Sequence, residues 1–197
     1  FAFVYFGNWS FSVYIMKQQS EASFALFQGM LIFVLSTLSI SSSGALFNPA
    51  ITVIFFFLKS KLALVIAGKM KSSVAIGYVT VQFFAAVLAC ACVVSQLPES
   101  WQDKIMEAGA APGLPSPIDQ HSSTYVMLNS TMGSMLLCFL YMTVYINRDF
   151  DMELAPACFA MGYAALTIIG VGLTGGNFNP VSMLPGLFYP DFSDKQM

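Results

Sequence analysis

The chain has 197 residues, of which 57% are hydrophobic and only 9% charged, against about 25% charged in an ordinary soluble domain. A mean hydropathy of +0.72 exceeds what a water-soluble core of this size can hide, so the composition reads as an all-α chain embedded in a lipid bilayer. A net charge of −2 offers no basic footprint for nucleic acid, and Cys90, Cys92, Cys138 and Cys158 all lie in apolar runs, which argues against a disulfide framework.

In chain order, "FAFVYFGNWSF" opens without Met or a charged flank and reads as the second half of a membrane helix, about Phe1 to Met16. A second span runs from about Ala22 to Ile40. "SSSGALF" and Asn48-Pro49 follow, then a short apolar run from Ala50 to Leu58, about half the length needed to cross. A connector with Lys59, Lys61, Lys69 and Lys71 leads to a third span, about Ser73 to Leu97. Residues 98–124, polar and rich in Pro and Gly, read as a loop. The fourth span covers about Tyr125 to Ile146 and the fifth about Leu154 to Leu173, separated by "NRDFDME". Then "TGGNFNPVSMLPGLFY" brings a second Asn-Pro and a second short apolar run. No sixth apolar run follows, so the expectation is an incomplete chain, about five of six spans visible, forming one domain over 1–197.

Asn-Pro normally starts turns and stops helices, yet both copies stand in apolar sequence. "SGALFNPAIT" (43–52) and "TGGNFNPVSM" (174–183) share Gly44 with Gly175, Phe47 with Phe178, and the Asn-Pro pair. The preceding spans carry Gly29 and Gly162 at similar offsets. Three crossings separate the motifs, an odd number, so the second unit (about 125–197) is inverted relative to the first (about 1–97). Inverted repeats with interrupted helices meeting near the midplane are a transporter and channel device. Basic residues agree with that topology: five of the eight fall on one side with three acidic residues, and Lys17, Lys104 and Lys195 on the other with seven. Asn8-Trp9-Ser10 then becomes an external glycosylation sequon, whereas Asn129-Ser130-Thr131 falls inside a span.

Non-helical backbone in hydrocarbon is tolerated only where protein buries it or a watery cavity receives it, so 44–47 and 175–178 are expected to line a cavity. Asn at the N-cap with Pro in the first helical position begins a helix well. The Asn oxygen accepts from the helix's own N–H, leaving the side-chain NH₂ for the cavity. Two half-helix N-termini meeting at the midplane add positive dipole ends. Such a centre welcomes the oxygen of water or an alcohol and repels cations.

These residues resemble the aquaporin (major intrinsic protein) family, whose two Asn-Pro-Ala loops fold into an hourglass of six spans and two half-helices. Asn48, Pro49 and Ala50 match the first motif; Asn179, Pro180 and Val181 match the second, with valine for alanine. The resemblance implies that Asn48 and Asn179 are the central donors. It implies a ladder of acceptor carbonyls at Gly44, Ala45, Leu46, Gly175, Gly176 and Asn177. Gln82 resembles the third-span glutamine that supports the first loop. The outer filter maps to Gln28, Gly176, Ser182 and a fifth-span position that is Thr167 counted from Asn179 or Ile169 counted from Gly162. Ser182 stands where the family usually places arginine, and the fourth span lacks the family's buried glutamate, with Asn129 or Ser130 nearby. Gln28, Gly176 and Ser182 suggest a wide, polar filter without a fixed cation.

The expected function is a passive channel for water and small neutral solutes such as glycerol or urea, in a multi-pass protein of the plasma membrane or an endomembrane. The resemblance also implies a homotetramer. One alternative keeps the fold with a closed pore, as a structural membrane subunit blocked by residues such as Phe47 or Phe178. Another is a secondary transporter, which needs intramembrane ionisable groups that these spans lack. His121, in the external loop, reads as solvated. No nucleotide loop, metal constellation or nucleophile–base pair stands out, so neither a cofactor nor an enzymatic activity is expected.

Overall fold

A computed structural model of the chain describes residues 1–59, 72–107, 123–146, 151–176 and 178–181. Its helices are α1 (Ala2–Lys17), α2 (Glu21–Ser43), α3 (Pro49–Lys59), α4 (Ser72–Gln96), α5 (Glu99–Glu107), α6 (Ser123–Tyr141) and α7 (Ala155–Thr174), with α6 continued by a π-helical turn at Met142–Ile146. No strand occurs among the described residues. Three helices, Glu21–Ser43, Ser73–Gln96 and Met127–Ile146, are long and apolar enough to cross a membrane, and Ala155–Val171 is a shorter apolar helix.

Helix boundaries follow local chemistry. Ser20 caps α2 by accepting from the Ser23 N–H (3.2 Å), and Glu21 puts negative charge on the first turn, both favourable at a helix N-terminus. Gln18, in the left-handed region, closes α1. The α2 sequence is inside-out relative to a soluble helix. Gln28, Ile32 and Ser36, four residues apart, are buried, while Leu26, Met30, Val34 and Leu38 are more than half exposed. Residues i and i+4 share a helix face, so the mixed polar face points inward and the aliphatic face outward, as expected of a helix surrounded by lipid.

Packing joins α2 closely to α7, with α1 against α2 and α4, α3 against α4 and α6, and α6 against α7. Small residues permit the α2–α7 approach: a Cβ at Gly29 would lie 2.9 Å from Ala164 Cβ and 3.0 Å from the Ala160 carbonyl. One core cluster combines Phe3, Ile32, Leu46, Ile51, Phe159, Tyr163, Phe178 and Val181, so both Asn-Pro segments plug into the same interior.

The segment expected to be loop holds α5. Its polarity is one-sided: Ile105 is fully buried against Val93 and Leu97, with Trp101, Trp9 and Met16 alongside, while Glu99, Asp103 and Lys104 are exposed. Trp101 and Ile105 stand one turn apart, and the Pro98 carbonyl accepts the first helical N–H bonds from Trp101 (2.8 Å) and Gln102 (3.1 Å). The remainder of the loop with His121, the connector from 60 to 71, Arg148 and everything after Val181 lie outside the described residues.

Candidate functional site at the meeting of the two Asn-Pro segments

The two broken-helix segments share one backbone design. α2 ends on left-handed Gly44 (φ 70°) and α7 on left-handed Gly175 (φ 72°), and in each case a second left-handed residue follows, Ala45 (φ 55°) and Gly176 (φ 66°). Two consecutive left-handed residues turn the chain back toward the centre, a path that glycine takes readily and alanine only with strain. The chain then reaches Phe47-Asn48 from one side and Phe178-Asn179 from the other.

There the segments lock reciprocally. Asn48 Nδ2 donates to the Phe178 carbonyl (3.0 Å), and Asn179 Nδ2 donates to the Phe47 carbonyl (3.1 Å). Each Asn oxygen accepts from a backbone N–H two residues on: Ala50 to Asn48 (2.9 Å) and Val181 to Asn179 (3.3 Å). A side-chain amide has two N–H groups. One of each pair is thus spent across the junction, which revises the expectation that the whole NH₂ is left for the cavity; the second N–H remains.

Polar side chains hold this junction from the surrounding helices. Gln82 Nε2 donates to the Leu46 carbonyl (2.7 Å) and to Thr52 Oγ1 (3.0 Å), and Thr52 Oγ1 donates to the Asn48 carbonyl (3.1 Å). The Tyr141 hydroxyl donates to the Gly44 carbonyl. On the second segment Ser134 Oγ donates to the Phe178 carbonyl (3.3 Å). Support for that segment therefore comes from Ser134, one turn beyond Ser130 and the nearby Asn129. The carbonyls of Gly44, Ala45 and Leu46 each already have a protein donor, the Phe47 N–H in the case of Ala45 (3.2 Å), so each has one lone pair left to offer.

Two cavities adjoin the junction. The first, with about 10 Å³ of space for water centres, is lined by Asn48 and Asn179 together with Phe3, Phe47, Ile51 and Tyr163 among others. The second, with about 20 Å³, is lined by Gln28, Asn8, Gly7, Gly175, Gly176, Phe3 and Tyr163 among others. Each has room for about one water. Phe3 and Tyr163 belong to both linings, and their rings meet edge to face at 5.9 Å, forming an aromatic partition. A family model for the major intrinsic proteins matches residues 1–196. The chain belongs to this family. No curated protein matches it. As a major intrinsic protein, it is an integral membrane protein of a family of channels for water or small solutes, not of enzymes.

Within this major intrinsic protein, the residues expected to form the outer filter fall as follows. Gln28 and Gly176 line the same cavity. Thr167 is fully buried, its Oγ1 donates to the Tyr163 carbonyl (2.9 Å), and its methyl would lie 3.0 Å from a Cβ at Gly176. Ile169 is 68% exposed, so the count from Asn179 gives the inward residue. The count from Gly162 misleads because Gly162 packs against Leu140, whereas Ala160 stands as far ahead of Asn179 as Gly29 does ahead of Asn48. Pro49 and Ala50 start α3, and Pro180 and Val181, the last described residues, are in 3₁₀ conformation. Asn177 and Ser182 lie outside the described residues.

One expectation fails on burial, and the closed-pore alternative loses one of its two named blockers. Asn8 is 2% exposed and its Nδ2 donates to Cys90 Sγ (3.6 Å), so the sequon is an interior feature of α1 and not a glycan acceptor. Phe178 does not obstruct either cavity. Its ring fills a notch where a Cβ at Gly133 would lie 2.0 Å away and one at Gly170 2.5 Å away. Phe47 does line the asparagine cavity and stacks on Phe3 at 6.4 Å. Sequence reasoning missed Phe3, Asn8 and Tyr163, apolar-helix residues whose inward position is set by which face meets α2.

Proposed function

We propose that the protein is a passive channel for water and small neutral solutes such as glycerol and urea, with Asn48 and Asn179 as its central donors. The observation that carries this reading is the reciprocal amide-to-carbonyl lock between the two segments. It leaves one N–H on each asparagine beside a cavity that both line. Donors held by fixed partners offer a passing oxygen a hydrogen bond without reorganising, as selectivity in such pores requires. Gln28, Thr167, Gly176 and Ser182 form the outer filter in this reading, and the carbonyls of 44–46 and 175–177 supply acceptors. The assembly is a homotetramer in the plasma membrane or an endomembrane.

A second reading, a structural subunit with a closed pore, is favoured by the Phe3–Tyr163 contact between the cavities. Light scattering from proteoliposomes bearing the full-length protein separates the two. A channel gives faster osmotic volume change than protein-free vesicles under a sucrose gradient and re-swelling under a glycerol gradient. A structural subunit gives neither.

A further inference from the structure

Gln28 is 6% exposed and both hydrogens of its amide nitrogen are committed to α1. Nε2 donates to the Gly7 carbonyl (3.2 Å) and to Ser10 Oγ (3.0 Å). The Ser10 hydroxyl spends its own proton on the Gly7 carbonyl (2.7 Å), so it meets the amide with a lone pair. A flipped amide would set Oε1 against the Gly7 carbonyl, acceptor against acceptor, so the chemistry fixes which end is nitrogen. Among the described residues Oε1 is left buried with no hydrogen-bond partner. Asn8, on the same cavity, donates from Nδ2 to Cys90 Sγ and not to this oxygen. A buried acceptor without a donor is costly, and Gln28 lines a cavity with room for water.

We propose that Ser10 is a positioning residue of the pore: with the Gly7 carbonyl it holds the Gln28 amide oxygen toward the pathway, making this constriction a fixed acceptor that selects solutes by the hydrogens they donate. Water, polyols and urea meet that requirement. The proposal rests on the channel reading, and it assigns to α1 a part in selectivity that comes from this chain's own Gly7, Ser10 and Gln28.

The test pairs flux with structure in the full-length protein. Urea and water permeabilities are measured for wild type, Ser10→Ala, Ser10→Thr and Gln28→Met in proteoliposomes at matched density. The urea-to-water ratio is expected to fall about fivefold or more in Ser10→Ala and Gln28→Met, the factor that about 1 kcal/mol represents. Ser10→Thr, which keeps the hydroxyl, is expected to restore it. An unchanged ratio in Ser10→Ala, or failure of threonine to rescue, overturns the assignment. Independently of flux, a high-resolution map in lipid nanodiscs is expected to show an ordered water within hydrogen-bond distance of Gln28 Oε1. An Oε1 paired to a protein donor overturns the proposal even if the channel conducts. A wild type that passes no water refutes the channel reading while this map still decides the amide's orientation.

Discussion

The ring of Phe178 occupies the space that a side chain at Gly133 would need, with a Cβ there only 2.0 Å from Phe178 Cε1. The residue whose carbonyl receives both Asn48 and Ser134 is thus anchored by its ring in a notch on α6 and α7. Gly133→Ala is expected to push the ring out or the helices apart, costing about 1–3 kcal/mol as overpacking does. Thermal unfolding in detergent should show the loss, and water flux per folded protein should fall because the Phe178 carbonyl moves away from Asn48. Unchanged stability and flux would mean that the ring has another comfortable seat.

Tyr163 and Phe3 separate the Gln28 cavity from the asparagine cavity. Tyr163→Val removes the larger part of that partition and should raise water permeability, with glycerol gaining more because it is wider. An increase of about fivefold or more in the glycerol-to-water ratio corresponds to about 1 kcal/mol removed from the solute's barrier. Equal ratios in wild type and variant would place the controlling constriction elsewhere.

Ser182, directly after the second Asn-Pro segment, is small and neutral. Ser182→Arg would add bulk and a permanent positive charge. Discrimination against glycerol should rise by about 1–3 kcal/mol, seen as a lower glycerol-to-water permeability ratio at matched protein density. Water, needing only one file of donors and acceptors, should suffer less. A constant ratio would remove Ser182 from the filter.

Mercurial reagents should inhibit weakly. Gly176 brings no thiol to the cavity it shares with Gln28, Cys90 and Cys138 are buried, and Cys92 and Cys158 are half-buried and absent from the linings of both cavities. Buried thiols react slowly. Rapid block that vanishes when one of these cysteines is replaced would show that its helix faces the pathway.

Much of this arrangement was legible in the sequence because its cause is local. Gly44, Asn48 and Pro49, and Gly175, Asn179 and Pro180, carry backbone preferences that stop one helix and begin a turn wherever they occur. Gln82, a polar residue in an apolar span, needs a partner, and the Leu46 carbonyl provides one. What was not legible depends on tertiary packing. Phe178, a candidate blocker only in the closed-pore alternative, finds its place once Gly133 and Gly170 are seen to make room for its ring. Asn8 reads as a surface sequon until α1 turns it toward Cys90. The α5 helix is short and polar, and its two inward residues, Trp101 and Ile105, give too brief a pattern to stand out from a loop. Thr167 and Ile169 could be told apart only by the face of α7 that meets α2.

The central claim is that a water path runs through the Asn48–Asn179 junction. Osmotic water permeability of full-length wild-type proteoliposomes, compared with protein-free vesicles over a range of temperatures, tests it most directly. The account predicts flux well above the protein-free vesicles with a weaker temperature dependence than the bilayer's own. Wild-type flux indistinguishable from protein-free vesicles, and still so in Tyr163→Val, would contradict it.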